Sequence, residues 1–217
     1  MSHGLEQRFI ELCGRVAPGS SAEGGAFAFH LLSACYAYPR REYHSLKHIE
    51  ECLGHLDAFR SIAQDADALE FAIFVHDAIY DATRKDNEAR SAILGAMLLD
   101  QLGAPAEKVS RVNELVAATT HTRSGLAGDE SLMVDIDLAI LGAESARYDE
   151  YAVGIRKEYA HADASAYRVG RCAFLRAMLA RERLFGHETV RDRFERQARA
   201  NLAVELESLS PQRSADR

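Results

Sequence analysis

The chain has 217 residues, 47% of them hydrophobic, and a formal net charge of −7. That is enough apolar material for one substantial core, and the acidic balance excludes an extended DNA- or RNA-binding face, which needs clustered cations. No stretch approaches the ~18 consecutive apolar residues of a membrane span, and Met1-Ser2-His3-Gly4-Leu5-Glu6 lacks the charged and apolar regions of a signal peptide. The expectation is a soluble, unexported, cytoplasmic protein of one domain over residues 1–208, with a frayed tail over 209–217.

Prolines occur only at 18, 39, 105 and 211, and the stretches between them place apolar residues three and four apart. This predicts an all-α bundle with helices near 5–16, 24–36, 43–59, 66–79, 87–103, 106–121, 130–142, 146–160, 164–184 and 188–208. Gly103-Ala104-Pro105 should stop one helix and open the next, because Gly tolerates the left-handed turn and Pro suits a first helical turn. Cys13, Cys35, Cys52 and Cys172 show no Cys-x-x-Cys spacing and read as reduced thiols.

In the segment Tyr43-His44-Ser45-Leu46-Lys47-His48-Ile49, helical spacing would put Leu46, Ile49, Leu53 and Leu56 on a core stripe. His44, His48, Cys52 and His55 would share the adjoining face. Two rings four residues apart can converge on one ion, or one can ligate while the other faces substrate. A zinc-protease pairing is unlike this one, since Ser45 stands where that motif needs a Glu base. His55 alone reads as an ordinary helix histidine.

The doublet His76-Asp77 closes the apolar run Phe71-Ala72-Ile73-Phe74-Val75. Burial of such a pair is costly unless something satisfies it, and an imidazole nitrogen beside a carboxylate oxygen suits a divalent metal. A further acid is expected from Met133-Val134-Asp135-Ile136-Asp137-Leu138-Ala139-Ile140-Leu141. Asp137 shares its face with Met133, Val134, Ile140 and Leu141 and is favoured, while Asp135 reads as partly solvated or as supporting a ligand.

Other charged groups have both functional and plain readings. Arg84 and Lys85, in the loop behind the doublet, could neutralise a phosphate or simply be solvated. His121 could contact phosphate or a second ion, or sit at a helix end favoured by the dipole. Glu88, near a helix start, could orient a water. The cluster Tyr151, Arg156, Tyr159, His161, Tyr167, Arg168 and Arg171 reads as helix packing and surface pairing rather than a nucleotide site. The mixed charges from Arg181 to Arg199 suit a solvent-facing helix. Leu184, Phe185, Val190, Phe194, Leu202, Val204, Leu206 and Leu209 would close the core or a homodimer interface.

The order His48, then His76-Asp77, then Asp137 resembles the His, His-Asp, Asp signature of the HD superfamily of metal-dependent phosphohydrolases. Tyr43-His44-Ser45-Leu46-Lys47-His48 is similar to the Tyr-His-Asn-x-x-His segment of cyclic-nucleotide phosphodiesterases, with Ser45 in place of Asn. Phe74-Val75-His76-Asp77-Ala78-Ile79-Tyr80-Asp81, Asp86-Asn87-Glu88-Ala89-Arg90-Ser91-Ala92 and Asp137-Leu138-Ala139-Ile140-Leu141-Gly142-Ala143 resemble a bacterial branch of that superfamily over most of the chain.

The resemblance implies an HD-type helical domain with His48, His76, Asp77 and Asp137 as metal ligands and His44 as the group that protonates the leaving oxygen. The ligands would hold one or two divalent ions (Mn, Zn, Mg, Co, Ni or Fe). The implied activity is hydrolysis of a small phosphorylated molecule, such as a nucleotide, with metal-activated water. With His44, Asp77 and Glu88 are the candidate catalytic residues, Asp77 as a ligand that could bridge a second ion and Glu88 as a group that could orient metal-bound water, and Arg84, Lys85 and His121 are the candidate substrate contacts. Two other readings are a noncatalytic HD module that binds a phosphorylated ligand and an HD oxygenase with two irons, for which His121 is the one histidine between the doublet and Asp137.

Overall fold

A computed structural model describes residues 2–123 and 125–210. Among them the chain is all-helical: α1 (Ser2–Val16), α2 (Ala22–Tyr36), α3 (Leu46–Phe59), α4 (Ala66–Val75), α5 (Asn87–Leu102), α6 (Ala106–Ala118), α7 (Gly128–Asp137), α8 (Ser145–Glu158), α9 (Ala164–Leu179) and α10 (Glu188–Leu209). Short 3-10 turns cover Arg60–Ile62 and Leu138–Gly142. The tail expected over 209–217 falls beyond α10 almost wholly on residues 211–217, outside the described residues. No helix among the described residues is long and apolar enough to cross a membrane.

The chain gathers into two compact units, Met1–Asp137 and Leu138–Arg217. In the first, α4 is central and packs on α1, α3, α5, α6 and α7. Its residues Ala68 to Val75 are all buried, so it has no solvent face to alternate with. Phe9 of α1 stacks against Phe29, Phe71 and Phe74, with the Phe74 ring edge-on at 4.8 Å. The N-terminal half of α4 is tied by charge: buried Glu70 accepts from Arg8, Arg15 and Arg60.

In the second unit, α8, α9 and α10 gather with the 138–142 turn. Asn201 donates to the carbonyls of Leu141 and Ala143, and a Cβ on Gly142 would lie 2.6 Å from Phe194 Cβ and 2.7 Å from its carbonyl oxygen. Glycine permits that approach. Arg171 is buried in a bidentate pair with Glu205 and also bonds Tyr151, so the aromatic and cationic cluster of α8 and α9 includes a packed polar core. Leu184, Phe185, Val190, Phe194 and Leu202 are buried, but Val204 is 66% exposed.

Helix ends differ from the periodicity where side chains capture backbone groups. Helix α3 begins at Leu46 rather than 43, because Ser45 is extended at the N-cap position and its hydroxyl donates to the Tyr43 carbonyl at 3.4 Å instead of accepting from the helix. Helix α4 stops at Val75: Ser91 and Asn87 of α5 take the Ile79 N–H and carbonyl and the Asp81 N–H and carbonyl, holding 78–81 as a turn. Helix α6 stops at Ala118, where Thr119 and Thr120 hydroxyls claim carbonyls that another turn would use. Arg199 takes the carbonyls of Leu179, Arg181 and Glu182, and α9 ends with them. Gly103 ends α5 in the left-handed region at φ 78°, as its sequence predicts, while Pro105 sits at the N-cap of α6 rather than in its first turn.

Candidate metal centre

Three helices of the first unit deliver the central side chains. His48 lies in the first turn of α3, whose residues Ile49, Leu53 and Leu56 are sunk in the core. His76 caps the C-terminus of α4, immediately after the buried apolar run, with Asp77 next in the turn. Asp137 is the last residue of α7. Each ligand candidate thus occupies a helix end or first turn, where side chains leave the packed stripe without crossing it.

The ring nitrogens and carboxylate oxygens converge. His48 Nε2 and His76 Nε2 are 3.3 Å apart. Asp137 Oδ1 is 3.2 Å from His48 Nε2 and 3.5 Å from His76 Nε2. Asp77 Oδ2 is 3.2 Å from His76 Nε2 and 3.6 Å from His48 Nε2. Ligands at roughly 2.0–2.2 Å from one ion are separated by about 3.3–3.6 Å in a tetrahedron and about 2.8–3.1 Å for neighbours in an octahedron. The spacing therefore fits a ligand shell. His48, His76 and Asp137 form a group whose ligand atoms all lie within 4.8 Å of one another, and could hold a metal ion; Asp77 joins it through the two imidazoles.

The ring orientations suit the same purpose. His76 Nδ1 is 2.9 Å from the Ile73 carbonyl, which can only accept, so Nδ1 carries a proton and Nε2 faces the cluster. His48 Nδ1 is 3.0 Å from the Tyr43 hydroxyl, which can accept its proton in the same way. Cys52 lies against the His48 ring, its Sγ 3.6 Å from Nδ1.

Electrostatics call for a cation in the midst of these groups. Burial pushes the Asp77 and Asp137 carboxyls up, but surrounding imidazoles overcome it: His76, His44 and His48 for Asp77, and His121, His48 and His76 for Asp137. Both acids stay well below the usual carboxylate range. Burial favours the neutral form of His76, yet Asp77 and Asp137 hold its pKa well above the ordinary value. Carboxylate oxygens that stabilise positive charge, facing two ring nitrogens, make a donor set that could hold a metal ion.

The other expected site residues divide clearly. His121 is brought in, but not from a helix end: it lies beyond α6 in the left-handed region at φ 56°, with Nε2 3.0 Å from Asp137 Oδ2. His44 does not share a helix face with His48, since it precedes the Ser45 cap. Its ring instead stacks on Tyr80 at 3.9 Å and meets the His48 ring edge-on at 6.2 Å. Glu88 is half-buried in the first turn of α5. Arg84 is exposed and makes a bidentate pair with Asp86, which also accepts from Arg90, and Lys85 is exposed beside it. A phosphate at Arg84 would compete with that carboxylate. His55 is half-buried and outside the ligand group. Asp135 is 1% exposed, which corrects the expectation of partial solvation: it lies on the inward side of α7 between Met133 and Ile136.

Sequence reasoning missed the roles of Tyr43, Tyr80 and Arg41 around this centre. Tyr43 and Tyr80 flank the two histidine motifs directly, and their adjacency was the available signal. Arg41 gave none, because its contacts to the His44 and Ala78 carbonyls depend on how the chain turns. Comparison with family models, with curated proteins and with solved structures finds no match.

Proposed function

We propose that the protein is a metal-dependent phosphohydrolase that cleaves a phosphoester of a nucleotide or another small phosphorylated molecule. The observation that carries this reading is the meeting of His48 and His76 Nε2 with the Asp77 and Asp137 oxygens at 3.2–3.6 Å, beside a third imidazole, His44, that stays out of the ligand group. A divalent ion held by these four side chains would supply positive charge for phosphoryl oxygens and lower the pKa of water toward neutrality.

The remaining work falls to the chain. His44, half-buried and stacked on the Tyr80 ring, would hold a proton and pass it to the departing oxygen as water attacks phosphorus and the bond to that oxygen breaks. The Asp77 carboxylate lies beside His76, and the charges of His76 and His44 are among those that keep it ionised despite its burial. His121, paired with Asp137, steadies that carboxylate from its other oxygen. The enclosing apolar residues Phe71 to Val75 keep water from these charges on the α4 side.

The test is a panel of phosphomonoesters and phosphodiesters offered to protein loaded with manganese, cobalt, zinc or magnesium, with Asp77→Ala in parallel. Hydrolysis by wild type that disappears in the variant and after chelation supports the reading. A loaded centre that binds a phosphorylated ligand tightly without turnover would instead favour a binding module, and oxygen consumption with bound iron an oxygenase.

A further inference from the structure

A guanidinium lies between the two segments that carry the candidate centre. Arg41 follows Arg40, whose φ of 80° places a non-glycine residue in the left-handed region. Such a backbone is held only where surrounding contacts outweigh its cost, and it turns the chain here so that the next side chain points inward. Arg41 is half-buried, and the contacts it makes are specific.

Its Nη2 donates to the Ala78 carbonyl at 2.9 Å and its Nη1 to the His44 carbonyl at 3.2 Å. Ala78 follows the His76-Asp77 doublet, and His44 precedes helix α3 with its His48. The Cζ of the same guanidinium lies over the Tyr36 ring, 5.1 Å from its centre, and over the Tyr80 ring at 5.8 Å. Tyr36 is itself fixed, donating its hydroxyl proton to the Phe74 carbonyl at 2.9 Å. Tyr80 in turn carries the His44 ring in a stack at 3.9 Å.

These contacts form a closed path. One planar cation bonds the backbone of His44, bonds the backbone two residues before Tyr80, and packs on the ring against which His44 lies. We infer that Arg41 is a positioning residue, which holds the His44–Tyr80 stack in place beside the candidate metal centre by bridging the turns before α3 and after α4. The inference deepens the hydrolase reading and rests on it for the importance of His44. The Arg41 hydrogen bonds go to backbone carbonyls and to none of the four proposed ligand side chains, so it sets where the proton donor stands rather than whether a metal is held. A lysine could not replace it, because an ammonium has no planar fork to span two carbonyls and no face to lie on two rings.

The test uses the full chain, loaded with zinc, as wild type, Arg41→Ala and Arg41→Lys, with isotope-labelled histidine. In wild type the His44 ring protons resonate upfield, shielded by the Tyr80 ring; Tyr80→Leu identifies them. Arg41→Ala and Arg41→Lys are expected to move these signals toward the position of an unstacked histidine while zinc stoichiometry stays at the wild-type value, and millimolar methylguanidinium is expected to return those of Arg41→Ala. Where a phosphoester is turned over, kcat falls roughly 10–100-fold with KM little changed, the size expected for a misplaced reacting group. Should Arg41→Ala fail to fold, Arg41→Lys carries the same comparison. Unmoved His44 signals in a folded variant overturn the inference, as does loss of zinc together with the shift. The resonance and metal readouts need no substrate, so a chain that hydrolyses nothing would sink the hydrolase reading and leave the role of Arg41 decided by them.

Discussion

His48 and His76 point their Nε2 atoms at each other across 3.3 Å, although 28 residues separate them in the chain. Two buried imidazoles in that position either share a proton with the flanking acids or share a cation. On the second alternative the protein is expected to bind divalent ions, and His48→Ala or His76→Ala to lower metal occupancy measured by elemental analysis. Saturating ion should raise the melting temperature, by the equivalent of about 2.7 kcal/mol at a hundredfold excess over Kd, and a chelator should reverse it.

Tyr43→Phe removes the hydroxyl that faces His48 Nδ1. Partners of this kind orient a ligating ring, and their loss typically weakens metal binding by roughly 10–100-fold. Competition with a metal indicator dye measures the change. An affinity equal to wild type would show that packing alone orients His48.

His44→Ala is expected to spare metal content and to reduce turnover of a phosphoester with a poor leaving group by roughly 10²–10⁴-fold, the usual range for a general acid. An activated aryl ester, whose leaving group needs little protonation, should lose much less. Equal losses on both substrates would assign His44 to binding.

Asp65 caps α4 through the Ala68 N–H and pairs with Lys108. Burial raises its pKa, but the Lys108 and Ala68 hydrogen bonds and the charges of Lys108 and Arg111 bring it below the ordinary value. A carboxylate depressed on folding contributes stability that is complete above the unfolded pKa near 3.9, and that fades as pH falls through the folded one. Asp65→Asn keeps the cap and deletes the charge. Its melting temperature should fall below wild type at neutral pH, within the roughly 0–1 kcal/mol of a part-exposed pair, and the two curves should converge in strong acid.

Gly142→Ala would set a Cβ 2.6 Å from Phe194 Cβ and 2.7 Å from its carbonyl oxygen. A backbone neighbour cannot rotate away, so the second unit should lose about 1–3 kcal/mol or more. Urea unfolding measures this directly, and a neutral result would mean that α10 shifts freely on the 138–142 turn.

The elements of this fold were legible because they are long and periodic: α2, α5 and α10 begin and end within two residues of where apolar spacing puts them. So was the gathering of side chains that could hold a metal ion, since His76-Asp77 ends the apolar run Phe71 to Val75 and Asp137 sits on an apolar stripe. What periodicity could not carry were interactions between distant segments. Ser91 and Asn87 hold the turn after Asp77 from another helix, and Arg199 ends α9 from α10. His44 was misplaced onto α3 for a local reason: a serine cap and a mid-helix serine look alike until the backbone angle of Ser45 is known. His121 was ambiguous because a left-handed histidine has no spacing signature.

Glu70, clasped by three arginines, fixes one end of α4 against rotation, while His76 ends the same helix six positions later. Inserting one residue between them would swing the doublet by about 100° around the helix axis, turning His76 away from His48 without altering any side chain of the centre. The distance along the chain from that arginine clasp to the doublet is thus as fixed a requirement of the proposed centre as the identity of its candidate ligands, and length variation belongs in the loops of this unit, not in α4.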